Sequence, residues 1–151
     1  MKAPSFNLSD QTGTIHALND YARKWIVLYF YPKDMTPGCT IEACSFRDNL
    51  NRLTSHGAVV LGVSADSVKR HAKFTEQQSL NFPLLADEDH AICEAYGVWK
   101  TKKFMGREYD GIVRTTVIIS PVGEIAKRYD DVKVSGHVDE VLKDLETLAR
   151  T

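Results

Sequence analysis

The residues Trp25-Ile26-Val27-Leu28-Tyr29-Phe30-Tyr31 form the longest apolar run of the chain. The run is rich in aromatic and β-branched residues, which favour strands, and it is far shorter than the ~20 residues of a membrane-spanning helix. Because it has no polar face, a strand formed by it must be covered on both sides. The run therefore predicts a central strand in a sheet that carries helices on both faces.

Predicted strands alternate with predicted helices along the rest of the chain. Strands are expected at 6–8, 14–18, 58–64, 82–85, 114–120 and 124–129. Helices are expected at about 37–53, from Asp66 or Ser67 to about 78, at 89–96, and over the apolar positions Val138, Val141, Leu142, Leu145 and Leu148. The pattern is typical of the α/β class: a mixed central sheet, helices on both faces and an N-terminal β-hairpin with Gly13 in its turn.

The size and charge of the chain exclude several classes of protein. Residues 1–151 fit one domain, with no linker or repeat inside it. The 19 Lys and Arg residues nearly balance the 20 Asp and Glu residues, so the chain has no electrostatic footprint for nucleic acid. The N-terminus lacks the apolar segment of a secretory signal, and no segment is long enough to span a membrane. We therefore expect a cytoplasmic protein.

The numbers and spacings of cysteine and histidine argue against structural disulfides and metals. Three Cys residues are too few, and an odd number, for a disulfide scaffold, so reduced thiols are expected at rest. The five His residues show no metal-binding spacing, and no Gly-rich phosphate-binding motif is present. We expect no metal and no cofactor.

Cys39 lies where a helix is predicted to begin. Thr36 is a good N-cap and Pro37 a good first helical residue, which places Cys39 in the first turn. Unpaired backbone N–H groups and the positive end of the helix dipole favour thiolate over thiol at this position. The position alone leaves two interpretations open: a reactive sulfur, or a cysteine packed under a helix start.

Cys44 follows Cys39 by five residues. On an intact helix this spacing separates the two Cα atoms by about 8.6 Å and turns them roughly 140° apart about the axis. A disulfide needs Cα atoms within about 7 Å. The two cysteines therefore either never bond or bond only after the first turns of the helix unwind.

The residues directly after the buried strand carry a more specific pattern, Pro32-x-x-x-Thr36-x-x-Cys39. With Thr-Pro-Gly-Cys-Thr and a second Cys five residues on, the chain resembles the peroxiredoxins, most closely the bacterioferritin comigratory protein or peroxiredoxin Q branch. Further matching segments extend over nearly the whole chain. They include Pro4-x-Phe6-x-Leu8, Gly62-Val63-Ser64-x-Asp66, Phe82-Pro83-Leu84-Leu85-x-Asp87, Tyr96-Gly97-Val98-Trp99 and Gly111-Ile112-x-Arg114-x-Thr116.

The resemblance implies a thioredoxin-like fold and a role for each motif residue. Cys39 is then the peroxidatic cysteine and Cys44 the resolving one. Thr36 is expected to hydrogen-bond the bound peroxide and the sulfur through its hydroxyl, and Pro32 to shield the site from water. Arg114 is expected to keep the thiolate charged and to hold the peroxide oxygens, with Glu42 as a candidate for positioning this arginine.

The activity implied is a thiol peroxidase that reduces hydrogen peroxide and organic hydroperoxides. Cys39 becomes a sulfenic acid, Cys44 condenses with it to a transient disulfide, and thioredoxin or a similar dithiol reduces that disulfide. The branch is commonly monomeric, and we expect a monomer. Two alternatives remain: a thioredoxin-type thiol–disulfide oxidoreductase, which ordinarily uses Cys-x-x-Cys, and a redox-switched adaptor.

Three other features carry weaker expectations. Cys93 lies in a short amphipathic segment and is expected to be a small buried hydrophobe rather than a redox group. The basic run from Lys100 to Arg107 is expected to be a solvated loop. Met35 stands where the family frequently has Asn or another small or polar residue, and it could tune peroxide preference.

Overall fold

The computed structural model describes residues 1–150 and contains a seven-stranded mixed sheet and a separate two-stranded ribbon. The strands are Asn7–Ser9 (β1), Ile15–Ala17 (β2), Trp25–Phe30 (β3), Ala58–Ser64 (β4), Leu84–Ala86 (β5), Trp99–Phe104 (β6), Arg107–Ile112 (β7), Thr115–Ile119 (β8) and Ile125–Tyr129 (β9). The α-helices are Pro37–Asp48 (α1), Leu50–Ser55 (α2), Val68–Gln78 (α3), Ala91–Ala95 (α4) and His137–Ala149 (α5), with a 3₁₀ turn at Leu18–Tyr21. No helix within residues 1–150 is long and apolar enough to cross a bilayer.

The predicted central strand is β3. The order of strands in the sheet is β2-β1-β5-β4-β3-β8-β9. β3 runs parallel to β4, with Trp25 opposite Ala58, and antiparallel to β8, with Ile26 opposite Ile119. β1 and β2 pair antiparallel, which confirms the expected N-terminal hairpin.

Alternate residues of β3 enter two separate apolar cores, one on each face of the sheet. Val27 and Tyr29 join residues of α1, α3 and α5 on one face. Leu28 and Phe30 join the N-terminal segment and α4 on the other face. Cys39 belongs to the first core, so the candidate site lies on the face covered by α1, α3 and α5.

The helix predicted at about 37–53 is divided in two at Asn49. The backbone of Asn49 leaves the helical region, with φ −108° and ψ 8°, and its side-chain amide donates to the Ser45 carbonyl at 2.8 Å. Asparagine side chains compete in this way with the backbone hydrogen bonds that would continue a helix. α1 therefore ends one residue before Asn49, and α2 begins one residue after it.

The stretch expected to be a solvated loop forms a β-hairpin instead. β6 and β7 pair antiparallel from Trp99 opposite Ile112 to Phe104 opposite Arg107. Most of their residues are exposed on both faces, so the alternation of apolar and polar residues that marks a half-buried strand is missing. The one local signal is the turn Met105-Gly106, where both residues have positive φ, as a two-residue hairpin turn requires.

Candidate active site

The first turn of α1 places Cys39 as expected. Thr36 has extended backbone angles, φ −93° and ψ 154°, and the helix begins at Pro37, so Cys39 is its third residue. The Thr36 hydroxyl does not cap the helix; it donates to the Lys33 carbonyl at 2.8 Å. The Thr36 carbonyl accepts from both the backbone N–H and the hydroxyl of Thr40. Thr36 thus closes the loop and starts the helix through its backbone.

Arg114 contacts the Cys39 sulfur from a distant part of the chain. Its Nη2 donates to Cys39 Sγ at 3.4 Å, and its Nη1 donates to Glu42 Oε1 at 2.7 Å. Arg114 lies between β7 and β8, and Glu42 lies one turn after Cys39 on α1. The guanidinium therefore bridges two side chains of one helix and points a positive charge at the sulfur of Cys39, a residue that is 1% exposed.

Gly38 allows this close approach. A Cβ atom at Gly38 would lie 3.2 Å from Arg114 Nη2, which is tighter than ordinary van der Waals contact. A larger residue at position 38 would press on the guanidinium that contacts Cys39. Gly38 therefore leaves the space beside Cys39 that the Arg114 guanidinium approaches, and its backbone does not adopt the left-handed angles that favour glycine.

Glu42 is an ionisable side chain held in the apolar core. It is fully buried, and burial raises the pKa of its carboxyl to about 7, although the Arg114 charge and hydrogen bond act in the opposite direction. Its Oε2 atom and the hydroxyl of Tyr29 are both buried without a hydrogen-bond partner among the described residues. Burial, together with the nearby charges of Glu42 and Cys39, raises the pKa of Tyr29 well above its usual value.

Cys44 faces away from this site, towards α3. Its Sγ donates to Gln78 Oε1 at 3.4 Å, and its side chain is half-buried. The Cys39 sulfur contacts Arg114, on the other side of the helix. Both thiols are free in the structure. The two cysteines are therefore separated as the helical geometry requires.

A buried group of side chains fixes the loop that precedes α1. Asp34 accepts from the Tyr31 hydroxyl at 2.5 Å and contacts His71 Nδ1 at 2.6 Å, while His71 Nε2 contacts the Leu85 carbonyl at 3.0 Å. The Asp34 N–H donates to Asp66 Oδ2 at 2.8 Å. Asp34, Asp66 and His71 bring three possible metal-ligand atoms close together, but protein groups already occupy those atoms. We call Tyr31, Asp34 and His71 the loop clamp.

Another buried histidine, His137, lies near the arginine. Its Nε2 is 2.8 Å from the Thr116 hydroxyl, and burial together with the Arg114 charge lowers the pKa of its imidazole to about 4. His137 is therefore neutral at physiological pH. A neutral ring adds no second positive charge beside Arg114.

The other two residues singled out from the sequence have simple placements. Pro32 is half-buried in the loop between β3 and α1. Cys93 is fully buried in the second core, where burial and the neighbouring Asp87 carboxylate raise the pKa of its thiol far above the usual value. A protonated, inaccessible thiol is a poor nucleophile, which supports the interpretation of Cys93 as a packing residue.

Comparison with known proteins shows the family of the chain. The profile of the AhpC/TSA family matches residues 1–128. The chain belongs to the AhpC/TSA family. The relatives of this AhpC/TSA chain include the peroxiredoxin Bcp of Escherichia coli (strain K12), 49% identical over 140 residues, which are 93% of this chain and 90% of that protein. The peroxiredoxin Bcp of Bacillus subtilis (strain 168) is 49% identical over 148 residues, covering 98% and 94% of the two chains.

Solved structures place this AhpC/TSA protein in the peroxiredoxin Q branch. The Xanthomonas campestris bacterioferritin comigratory protein superposes with a TM-score of 0.91 at 44% identity, over 95% of this chain and 92% of that one. The expected thioredoxin-like fold is confirmed by this match, and the relatives confirm the expected class of activity, a thiol peroxidase. Hydroperoxide is therefore the substrate, and a reductant must complete the cycle.

Sequence reasoning missed the loop clamp and Gln78 among the residues around this peroxiredoxin site. Asp34 and His71 are 37 positions apart, and Cys44 and Gln78 are 34 apart, with no motif that joins them. A lone His on a predicted helix is ordinarily a surface or core residue. Only the packing of α3 against the start of α1 shows that these side chains meet.

Proposed function

We propose that Cys39 is the peroxidatic cysteine of an atypical two-cysteine peroxidase and that Cys44 resolves its sulfenic acid within the same chain. The observation that carries this proposal is the contact of Arg114 with the Cys39 sulfur in the first turn of α1. A fixed guanidinium stabilises both the thiolate and the negative charge that develops on the departing peroxide oxygen. Glu42 holds the other end of the guanidinium.

In the first step the Cys39 thiolate attacks the terminal oxygen of the hydroperoxide. An S–O bond forms, the O–O bond breaks, and the departing oxygen takes a proton to leave as water or an alcohol. Thr36 is assigned to hydrogen-bond the peroxide, which requires its hydroxyl to turn from the Lys33 carbonyl. Pro32 is assigned to exclude water. The structure of the Xanthomonas campestris relative is described in terms of alkyl peroxide reduction, which supports organic hydroperoxides as substrates here as well.

In the second step Cys44 attacks the sulfur of the sulfenic acid, an S–S bond forms and water leaves. The separation of the two cysteines on α1 requires the helix to unwind from Pro37 to about Cys44 first. A dithiol such as thioredoxin then reduces the disulfide by thiol–disulfide exchange. We assign this cycle to a monomer of residues 1–151 acting as one domain in the cytoplasm, where such reductants operate.

A coupled assay with hydroperoxide, thioredoxin, thioredoxin reductase and NADPH tests the assignment. Cys39→Ser is expected to abolish turnover, while the control Cys93→Ala retains it because Cys93 is buried away from the site. Cys44→Ser is expected to consume one equivalent of peroxide per chain and then to recycle slowly. Full turnover by Cys39→Ser would refute the assignment of the peroxidatic residue, and normal multiple turnover by Cys44→Ser would refute that of the resolving residue.

The same assay separates the alternatives. A thioredoxin-type oxidoreductase would reduce a disulfide substrate rapidly without peroxide, and an adaptor would show no multiple turnover with any reductant. The oligomeric state is tested by sedimentation of the reduced and the oxidised protein, for which a single 17.0 kDa species is expected. A dimer in either state would contradict the monomer.

A further inference from the structure

The last turn of α3 holds the second half of α1 through two different groups of one residue. The side-chain oxygen of Gln78 accepts from the Cys44 thiol at 3.4 Å. Its backbone carbonyl accepts from Arg47 Nη1 at 2.5 Å. Asn81, just beyond α3, donates to the Arg47 carbonyl at 3.3 Å. Gln78 thus contacts the resolving cysteine through its side chain and the following turn of α1 through its backbone.

Disulfide formation affects the two contacts of Gln78, with Cys44 and with Arg47, differently. Cys44 must leave α3 to reach Cys39, because the two sulfurs face different sides of α1. The bond from Cys44 to Gln78 therefore breaks in every resolution step. Arg47 lies three residues further along, outside residues 37–44, so its charge-assisted bond to the Gln78 carbonyl and the bond from Asn81 need not break when those residues unwind.

We propose that Gln78 is a positioning residue that holds Cys44 against α3 and so limits the rate of disulfide formation. This inference rests on the proposed role of Cys44 as the resolving cysteine. While Cys44 is held, the Cys39 sulfenic acid persists and can meet a second hydroperoxide. That second reaction transfers another oxygen atom to the sulfur, gives a sulfinic acid and releases another water or alcohol.

Gln78 therefore sets how much peroxide the protein tolerates before Cys39 is overoxidised. The sulfinic fraction depends on the ratio of two rates, resolution by Cys44 and reaction with the second peroxide. A neutral hydrogen bond of this kind changes such a rate by roughly two- to tenfold. Gln78 contacts neither Cys39 nor Arg114 through any recorded interaction, so the first oxidation of Cys39 is expected to be independent of it.

The test compares Gln78→Ala with Gln77→Ala. Gln77 is the preceding residue on the same helix and is exposed, so its substitution controls for the loss of a glutamine near the end of α3. The fully reduced proteins are mixed with hydrogen peroxide, quenched at intervals with a thiol-alkylating reagent and analysed by mass spectrometry of the intact chain. Dithiol, sulfenic, disulfide and sulfinic forms differ in mass and are counted separately.

Gln78→Ala is expected to form the disulfide roughly two- to tenfold faster than the parent and to accumulate less sulfinic acid at high peroxide. Its rate of first oxidation stays unchanged, and Gln77→Ala behaves as the parent in every respect. Gln78→Glu supplies a charge-assisted acceptor, which binds a donor about twice as strongly, and is expected to slow disulfide formation. If Gln78 only stabilised the fold, Gln78→Ala and Gln78→Glu would not change the rate of disulfide formation in opposite directions while leaving the first oxidation of Cys39 unchanged.

Equal rates of disulfide formation in the parent and Gln78→Ala would overturn the proposal, as would a parallel change in the first oxidation. A parent protein that forms no Cys39–Cys44 disulfide would refute the proposed function itself, and the role of Gln78 with it. The two failures are distinguishable because the parent reaction is measured in the same experiment. Thermal unfolding of each reduced variant checks that the half-buried position 78 tolerates the change.

Discussion

Glu42 lowers the stability of the fold by its burial and, in the same position, orients the Arg114 side chain. Its carboxylate is one of the few ionisable groups placed wholly inside the core, and one of its oxygens has no hydrogen-bond partner within residues 1–150. An apolar residue there would pack without that desolvation cost. What the carboxylate contributes is a fixed position for Arg114, whose second nitrogen then reaches the Cys39 sulfur.

Glu42→Gln tests this cost through the pH dependence of stability. The pKa of the Glu42 carboxyl is raised from 4.5 to about 7, so the folded protein binds a proton more tightly than the unfolded chain between those values. The contribution of Glu42 to the free energy of unfolding must therefore fall as pH rises through this window. Gln does not titrate. We expect the difference in unfolding free energy, parent minus Glu42→Gln, to decrease by about 3 kcal/mol from pH 4.5 to 7.5.

Urea unfolding at several pH values measures this difference. Glu88→Gln, a change of the same kind at an exposed position, is the control for the loss of a glutamate carboxylate. A difference that rises with pH for Glu42→Gln would mean that the Arg114 charge outweighs burial in setting the pKa of Glu42.

The peroxidase rate of Glu42→Gln is expected to be lower at neutral pH, since Arg114 loses its charged partner.

At the scale of elements, the loop clamp joins the loop before α1 to α3. It fixes the backbone at Asp34, and the next residue, Met35, has a φ of +64°. This value lies in the left-handed region, which residues other than Gly and Asn disfavour. The family frequently has Asn at this position, and the left-handed backbone of Met35 gives a physical reason for that preference. The fixed loop leads directly into Thr36 and Pro37, the residues at which α1 begins.

Asp34→Ala is expected to lower the free energy of unfolding by about 3–5 kcal/mol. The change leaves the Tyr31 hydroxyl buried without its acceptor and one His71 nitrogen buried without its hydrogen-bond partner, and each buried polar group left unpaired costs about 1–3 kcal/mol. Chemical denaturation measures the loss. The control is Glu108→Ala, which removes a partner of the exposed pair with Lys103 and is expected to have no measurable effect. A loss for Asp34→Ala as small as that of the control would show that the clamp adds nothing to stability.

The elements themselves were largely predictable from the sequence. The fully apolar β3 run, the Ser67 cap of α3 and the spacing of α5 each follow from a local pattern, and each element formed near its expected bounds. The division at Asn49 and the β6–β7 hairpin did not follow. In the first a single side-chain hydrogen bond outweighed helix periodicity, and in the second both faces of the strands are mostly exposed.

At the scale of the whole molecule, three separate parts of the chain meet on one face of the sheet. α1 brings Cys39 and Glu42, the β7–β8 connection brings Arg114, and α5 brings His137. The motif from Pro32 to Cys39 and the resemblance predicted the first two contributions. The place of His137 depends on how α5 packs across the sheet, and no local spacing in the sequence reports that.

His137→Gln is expected to make the protein more resistant to acid. The pKa of His137 is lowered from 6.5 to about 4, so the unfolded chain binds a proton more tightly in that window, and stability falls as pH drops through it. Gln keeps a hydrogen-bonding partner for Thr116 but does not titrate. The difference in unfolding free energy, parent minus variant, should therefore decrease from pH 7 to pH 4.

The matched control is His56→Gln at the end of α2, and unfolding by urea is followed over the same pH range. An unchanged difference for His137→Gln would show that its protonation is not coupled to folding. In the parent protein Glu42 and His137 act in opposite directions as pH changes between 4.5 and 6.5. The stability of the intact molecule should consequently vary less with pH than that of either variant.

The placement of the two cysteines on different sides of α1 also has a consequence in time. Each turnover of the proposed cycle includes one unwinding and one rewinding of about two helical turns. Local unfolding of a packed segment takes from microseconds to seconds, and enzymes commonly turn over once in about 1 ms to 1 s, so the two ranges of time overlap. Contacts that hold the packed helix, such as that of Gln78 with Cys44, therefore lengthen each cycle directly. The pace of the enzyme should then follow the melting of its own helix as well as the arrival of peroxide and reductant.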